Sequence, residues 1–121
     1  MGDKVLVVDD SGTMRKIIIR SLSAVGFDDV VEARDGDEGL AAFQSQAFRL
    51  VMTDWNMPNK SGLELTREIR ATGSDVPIFM VTTEGERGRV LEAIQAGITD
   101  YLVKPFSSDA LREKLEKYPV V

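Results

Sequence analysis

The sequence predicts a doubly wound α/β domain of the (βα)5 kind, a five-stranded parallel sheet with helices on both faces. Two observations lead there. Short runs of β-branched and apolar residues, each too short for a helix, recur five times. Between them, apolar residues return at three- and four-residue spacing, the period of a helix with one buried face. Regular alternation of the two implies parallel strands joined by right-handed crossovers. A chain of 121 residues with 43% hydrophobic content suits one core of that kind.

In chain order, Lys4 to Val8 is the first strand and ends in Asp9-Asp10. Met14, Ile17, Ile18, Leu22 and Val25 recur at helical spacing up to Gly26, which fits the position just past a helix where glycine is favoured. Val30 and Val31 begin a weaker strand ending near Ala33. Asp35, with Glu38 three residues on, has the form of a capping box that opens a helix carrying Leu40, Ala41 and Phe43. Arg49 to Thr53 is the third strand and delivers Asp54 to a rigid rim close to solvent. Pro58 then forces the chain out of the sheet, because it has no N–H for the ladder. Ser61 and Glu64 cap a helix with Leu65 and Ile69 that stops near Gly73. Pro77 to Val81 is uninterruptedly apolar and reads as a strand covered on both faces. Val90, Leu91 and Ile94 mark the fourth helix, closed by Gly97. Tyr101-Leu102-Val103 is the fifth strand, cut off by Pro105, and Leu111, Leu115 and Tyr118 stripe the last helix.

Composition removes whole classes of chemistry. The absence of cysteine excludes disulfides, thiolate catalysis and zinc-thiolate sites. The absence of histidine excludes an imidazole base, a Ser-His-Asp triad and a phosphohistidine in this chain. Chemistry is left to carboxylates, hydroxyls, lysines or a metal. A net charge of −5 and a pI near 4.7 argue against nucleic acid and membrane as partners, since both reward surplus Lys and Arg. Met1 to Lys4 lacks the apolar region of a secretory signal, and no apolar run approaches the roughly 18 residues that cross a bilayer. A soluble, cytoplasmic protein forming one domain over residues 1–121 is the expectation.

In open parallel sheets the ligand site lies outside the carboxyl ends of the strands. There the strands deliver Asp9 and Asp10, Asp54, Thr82 and Lys104, so four of the five put a reactive side chain on one rim. Each has an ordinary explanation when taken alone. Asp9 or Asp10 could cap the first helix, Asp54 could start a turn, Thr82 could cap the fourth helix, and a lone lysine is usually solvated. Their joint placement is another matter. Three carboxylates within roughly 4 to 6 Å repel by a few kcal/mol per pair at an effective dielectric of ~20, a cost that capping does not require.

Lys104 offsets part of that repulsion, and the remainder suits a hard divalent cation. Mg²⁺ commonly takes one or two carboxylates and keeps several waters. Room is then left for a phosphoryl group between the metal and the Lys104 ammonium, and phosphoryl transfer needs little beyond such positioning and neutralisation. Asp54, alone at its strand end, is the natural nucleophile, with an acyl phosphate as product.

Val7-Val8-Asp9-Asp10, Asp54-Trp55-Asn56-Met57-Pro58-Asn59, Val81-Thr82 and Val103-Lys104-Pro105-Phe106 resemble the receiver domain of two-component response regulators, above all those of bacterial chemotaxis. The likeness runs from about Val5 to Lys117. It implies a flavodoxin-like sheet in strand order 2-1-3-4-5. It also implies that a sensor histidine kinase of the chemotaxis type donates from a phosphohistidine to Asp54. Asp10, Asp54 and the backbone carbonyl of Asn56 would ligate Mg²⁺, with Asp9 acting through water, while Lys104 and Thr82 would meet the phosphoryl group. Tyr101 would then turn inward and reshape a face that includes Glu84, Arg87 and Val90. That face would be read by a flagellar motor-switch protein or another output protein, and a phosphatase is a further partner. The resemblance implies a monomer, and a switch that assists its own phosphorylation and dephosphorylation rather than an enzyme with a separate substrate. It implies a cis Lys104-Pro105 bond as well, against a prior of about 5% for any X-Pro bond.

Two departures from the family pattern bear on rates. Thr83 follows Thr82 where a small residue usually lines the entrance, which predicts slower access of donor and water. Ser11-Gly12 replaces bulkier residues after the acidic pair and leaves the acyl-phosphate lifetime open. Trp55, beside Asp54, is expected to be partly packed, a reporter without a chemical role. The alternative to a chemotaxis receiver is a phosphorelay or other non-chemotaxis receiver, including one cut from a longer regulator, since receivers are alike at this site and differ in what reads them. Asp9-Asp10-Ser11-Gly12-Thr13 is similar to the Asp-x-Asp-Gly-Thr opening of haloacid-dehalogenase-like phosphatases, but Ser11 stands where their second acid belongs. An FMN binder of the same architecture is disfavoured because Asp9-Asp10 would repel the phosphate. A calcium loop starting at Asp54 fails at Pro58 and Asn59.

Overall fold

Successive side chains of a strand point to opposite faces of its sheet. Here both sets are apolar, so the sheet has to be covered twice. The computed structural model describes residues 4–83 and 88–118. Its strands are β1 (Val5–Val8), β2 (Val30–Ala33), β3 (Leu50–Asp54), β4 (Ile78–Thr82) and β5 (Asp100–Val103). They alternate with helices α1 (Gly12–Ala24), α2 (Gly36–Ser45), α3 (Gly62–Ala71), α4 (Val90–Ala96) and α5 (Ser108–Lys117). All pairings are parallel, and the sheet runs β2-β1-β3-β4-β5, as the resemblance implies.

Two cores follow from the alternation. Val5, Val7, Leu50, Met52, Phe79, Val81 and Leu102 pack against Ile18 and Leu22 of α1 and Leu111 of α5. Leu6, Val8, Val51, Ile78 and Met80 pack on the other face against Leu63, Leu65 and Ile69 of α3 and Ala93 of α4. Each fully buried Leu, Ile, Val, Phe or Met side chain contributes roughly 1.5–3 kcal/mol, which is why β1, β3 and β4, buried along their whole length, form the centre.

Strand ends differ by a residue from the expectation, and the shift matters. β3 runs to Asp54 and β4 to Thr82, because the parallel ladder continues through Asp54 opposite Val81 and Thr82 opposite Val103. Both rim residues are therefore held by the sheet itself. The Ser61–Glu64 capping box is complete. At α2, Asp35 accepts from the Glu38 N–H at 2.8 Å, but the Glu38 carboxylate accepts from the Arg34 N–H at 2.8 Å, one residue earlier than a capping box requires. Gly26, Gly73 and Gly97 all have positive φ at helix ends, as placed from sequence.

The apolar stripe that located α4 does not face the core. Leu91 and Ile94 are 66% and 51% exposed, and only Ala93 is buried. A seven-residue helix lying on small residues leaves its larger apolar side chains outside. Among the described residues, no helix is long and apolar enough to cross a membrane.

Candidate functional site

Register brings the rim residues level. Val8 pairs with Thr53, so Asp9 and Asp54 follow side by side, while the Lys104 N–H donates to the Thr82 carbonyl at 2.7 Å just beyond the Thr82–Val103 pair. The carboxylate oxygens of Asp9, Asp10 and Asp54 come within 4.8 Å of one another. Lys104 Nζ donates to Asp54 Oδ1 at 3.0 Å and to Asp9 Oδ2 at 3.4 Å.

The ordinary explanations for these residues are not the ones the fold uses. α1 is capped by Ser11, whose hydroxyl accepts from the Met14 N–H at 3.1 Å, so neither Asp9 nor Asp10 serves as the cap. The N-cap of α4 is Arg89, not Thr82. Lys104 is not solvated but ion-paired, with 17% of its side chain exposed.

Asp54 sits deeper than its predicted place close to solvent. It is 8% exposed and Asp9 is 1% exposed, so of the three carboxylates only Asp10 is open to water. Trp55, expected to be partly packed, is 2% exposed. The strand carries both inward before the chain leaves the sheet.

Burial pushes the Asp54 carboxyl above the ordinary carboxylate value, and the nearby Asp9 charge adds to this, against the lowering effect of Lys104 and the Trp55 N–H. Burial alone would push Lys104 down, yet it is held above its usual value because the bonds and charges of Asp54 and Asp9 together outweigh that effect. One ammonium shared among several carboxylates explains the difference. The lysine is fully compensated, and the acids are not.

Such a set fits a hard dication. It offers only oxygen donors, it carries uncompensated negative charge, and Asp10 gives access from solvent. Asn56 lies two residues past Asp54 and is exposed. Thr82 Oγ1 is buried and finds no hydrogen-bond partner among the described residues, an uncommon condition for a buried hydroxyl.

Tyr101, partly buried, packs on the α3–α4 side of the sheet opposite Met80, and Val90 opens α4. Glu84 and Arg87 lie outside the described residues. The Lys104-Pro105 bond is cis. One contributor escaped the sequence reading. Arg15 donates to the Asp9 carbonyl at 2.7 Å and to Glu32 at 2.8 Å, bracing the loop that carries the acidic pair. No periodicity signals a contact between a helix and a neighbouring strand end.

Compared with known proteins, residues 5–116 match the family model described as response regulator receiver domain. Chemotaxis protein CheY1 of Helicobacter pylori (strain J99) is 47% identical over 116 residues, spanning 93% of this chain and 94% of that protein. Among solved structures, the chemotaxis response regulator CheY4 of Vibrio cholerae superposes with a TM-score of 0.86 at 35% identity, covering 100% of both chains. The receiver domain of a sensor histidine kinase from Pseudomonas aeruginosa PAO1, solved with a magnesium ion coordinated in its active site cleft, matches with a TM-score of 0.85 at 31% identity over 98% of both chains.

Proposed function

Since this chain belongs to the response regulator receiver family and works as a response regulator of the chemotaxis kind, we propose that Asp54 is its phosphoacceptor and that the phosphorylated form signals by protein contact. The observation that carries this reading is the Asp54 carboxylate, fixed at a strand end 3.0 Å from the Lys104 ammonium beside two further carboxylates.

An Asp54 oxygen attacks the phosphorus of a phosphohistidine on a sensor kinase. The P–N bond breaks, its electron pair leaves on the imidazole, and an acyl phosphate remains. Lys104 already touches the acceptor and is placed to pair with the new phosphoryl oxygens. The unpartnered Thr82 hydroxyl donates to one of them, a charge-assisted bond that the resting state lacks. Mg²⁺, held by Asp10, Asp54 and the Asn56 carbonyl with Asp9 behind a water, would neutralise charge on the phosphoryl oxygens when bound. Thr82 and Tyr101 belong to the same side of the sheet, since Met80 faces Tyr101 in register, so drawing Thr82 toward the phosphoryl group opens space into which Tyr101 turns.

The output face comprises Tyr101, Val90 and the exposed Leu91 and Ile94 of α4, next to a groove lined by Pro105, Phe106, Ala110 and Lys114. A flagellar motor-switch protein is its reader in this proposal. The domain acts as a monomeric cytoplasmic switch that assists its own phosphorylation and dephosphorylation. A pull-down of motor-switch protein, with and without a phosphate mimic, tests the partner; no capture in either state would point to a non-chemotaxis receiver, and capture that does not depend on the mimic would overturn the switch.

Metal binding gives a second check. Mg²⁺ at about 100 times its dissociation constant is expected to stabilise the fold by about 2.7 kcal/mol, because it binds the folded form alone. Asp10→Asn should lose most of that gain, read as the difference in Tm with and without the ion. Thr83, exposed just past β4, is expected to slow access, so Thr83→Ala should speed both phosphorylation by a small phosphodonor and loss of the phosphate. Unchanged rates would refute a gating role.

A further inference from the structure

The loop after Asp54 contains a left-handed residue that is not glycine. Asn59 has φ 69°, the sole such case among the described residues. Most side chains resist this conformation, and Asn tolerates it best because it can bond locally. Here the bond reaches another element. Asn59 Nδ2 donates to Asp35 Oδ2 at 3.0 Å, while Asp35 Oδ1 accepts from the Glu38 N–H at 2.8 Å as the N-cap of α2.

The next residue extends the seam. Lys60 pairs with Asp37 of α2 at 3.3 Å and with Glu68 of α3. Its backbone lies so close to Gly36 that a β-carbon there would stand 2.5 Å from the Lys60 carbonyl oxygen. The base of the loop is closed by the Gly62 N–H donating to the Trp55 carbonyl at 2.8 Å. Residues 56–58 therefore lie between a fixed base and a tip tied to a neighbouring helix, with Met57 packed against the core and Asn56 exposed. Asp35 stays ionised, its carboxyl held below the usual range first by the Glu38 N–H and, against slight burial, also by the Asn59 amide.

We propose that Asn59 and Asp35 are positioning residues of the metal site, acting through the loop that presents Asn56. This rests on the reading of Asp10, Asp54 and Asn56 as Mg²⁺ ligands. Neither residue touches the ion. Their pairing keeps the loop in the one arrangement that offers a backbone ligand, as outer groups orient ligands in metal sites generally.

The test is a double-mutant cycle on the full chain, titrating Mg²⁺ into EDTA-stripped protein with Trp55 emission and calorimetry as readouts. Asn59→Gly keeps the left-handed backbone without strain and removes the amide. Asp35→Ser keeps a helix-capping hydroxyl but is too short to reach Asn59. Each is expected to weaken Mg²⁺ binding about tenfold, the low end for loss of an orienting group. The double variant should also be about tenfold weaker rather than a hundredfold, because both changes delete the same bond. Melts in EDTA are expected to stay within a few degrees of wild type.

Unchanged Mg²⁺ affinity in Asn59→Gly overturns the positioning role and leaves the metal reading standing. Losses that multiply in the double variant overturn it too, since independent structural damage behaves that way. Absence of any Mg²⁺ response in wild type removes the metal reading, and this inference with it.

Discussion

Asp54→Asn is expected to abolish phosphoryl uptake from a small phosphodonor in the presence of Mg²⁺, while making the metal-free fold more stable rather than less. The amide cannot attack phosphorus, so the first effect is complete and is read as loss of incorporated phosphate and of the Trp55 response to the donor. The second follows from the electrostatics. Burial raises the folded-state pKa of Asp54 above its unfolded value, so the folded chain binds this proton more tightly. Stability contributed by the protonated carboxyl is present at low pH and is lost as pH rises through the folded-state pKa. Asn does not titrate. In EDTA, the Tm advantage of Asp54→Asn should therefore be absent at low pH, grow as pH rises from about 4 through the folded-state value, and level off at neutral pH. A variant that melts below wild type at pH 7 without metal would show that the ionised cluster is not under strain.

Gly62→Ala should be the most damaging single-methyl change described. A β-carbon at Gly62 would stand 2.1 Å from the Asp54 carbonyl oxygen and 3.0 Å from the Met80 sulfur. Neither can yield easily: the oxygen belongs to the strand end that positions the acceptor, and Met80 is fully buried. Overpacking of a tight site costs about 1–3 kcal/mol and occasionally more. Contact with backbone puts this case at about 3 kcal/mol or above, a fall in Tm on the order of 10 °C for a domain of this size. Gly73→Ala is the control. Its φ is positive, at 90°, unlike that of Gly62, and a β-carbon there meets nothing within 4 Å, so only the left-handed backbone penalty of about 1–2 kcal/mol applies. Similar melting points for the two variants would mean that α3 can move away from the rim.

Much of the architecture was legible because parallel strands buried on both faces leave a strong mark. Val5–Val8 is apolar throughout and Ile78–Thr82 until its last residue, without alternation, and helix ends are marked by Gly26, Gly73 and Gly97. The acidic cluster could be read because two strands, β1 and β3, end in carboxylates whose joint placement on one rim is costly although each has an ordinary explanation alone. What escaped depends on contacts between segments distant in sequence. Whether α4 turned Leu91 inward or outward rested on how closely Ala93 lets it approach the sheet, and periodicity is blind to that. The depth of Asp54 and Trp55 depended on the ladder continuing one residue further than expected. Arg15 against Asp9, and Asn59 against Asp35, join residues 6 and 24 positions apart through loops whose paths no local rule fixes.

The alternation along the central strands has one more consequence. Asp54 follows Leu50 and Met52 toward the α1–α5 layer, whereas Thr82 follows Ile78 and Met80 toward the opposite one. On the proposed reading, the adjoining ends of β3 and β4 pass an event at the acceptor through the sheet to the layer that holds Tyr101. A substitution at Thr82 would then uncouple the two while leaving the acceptor itself in place.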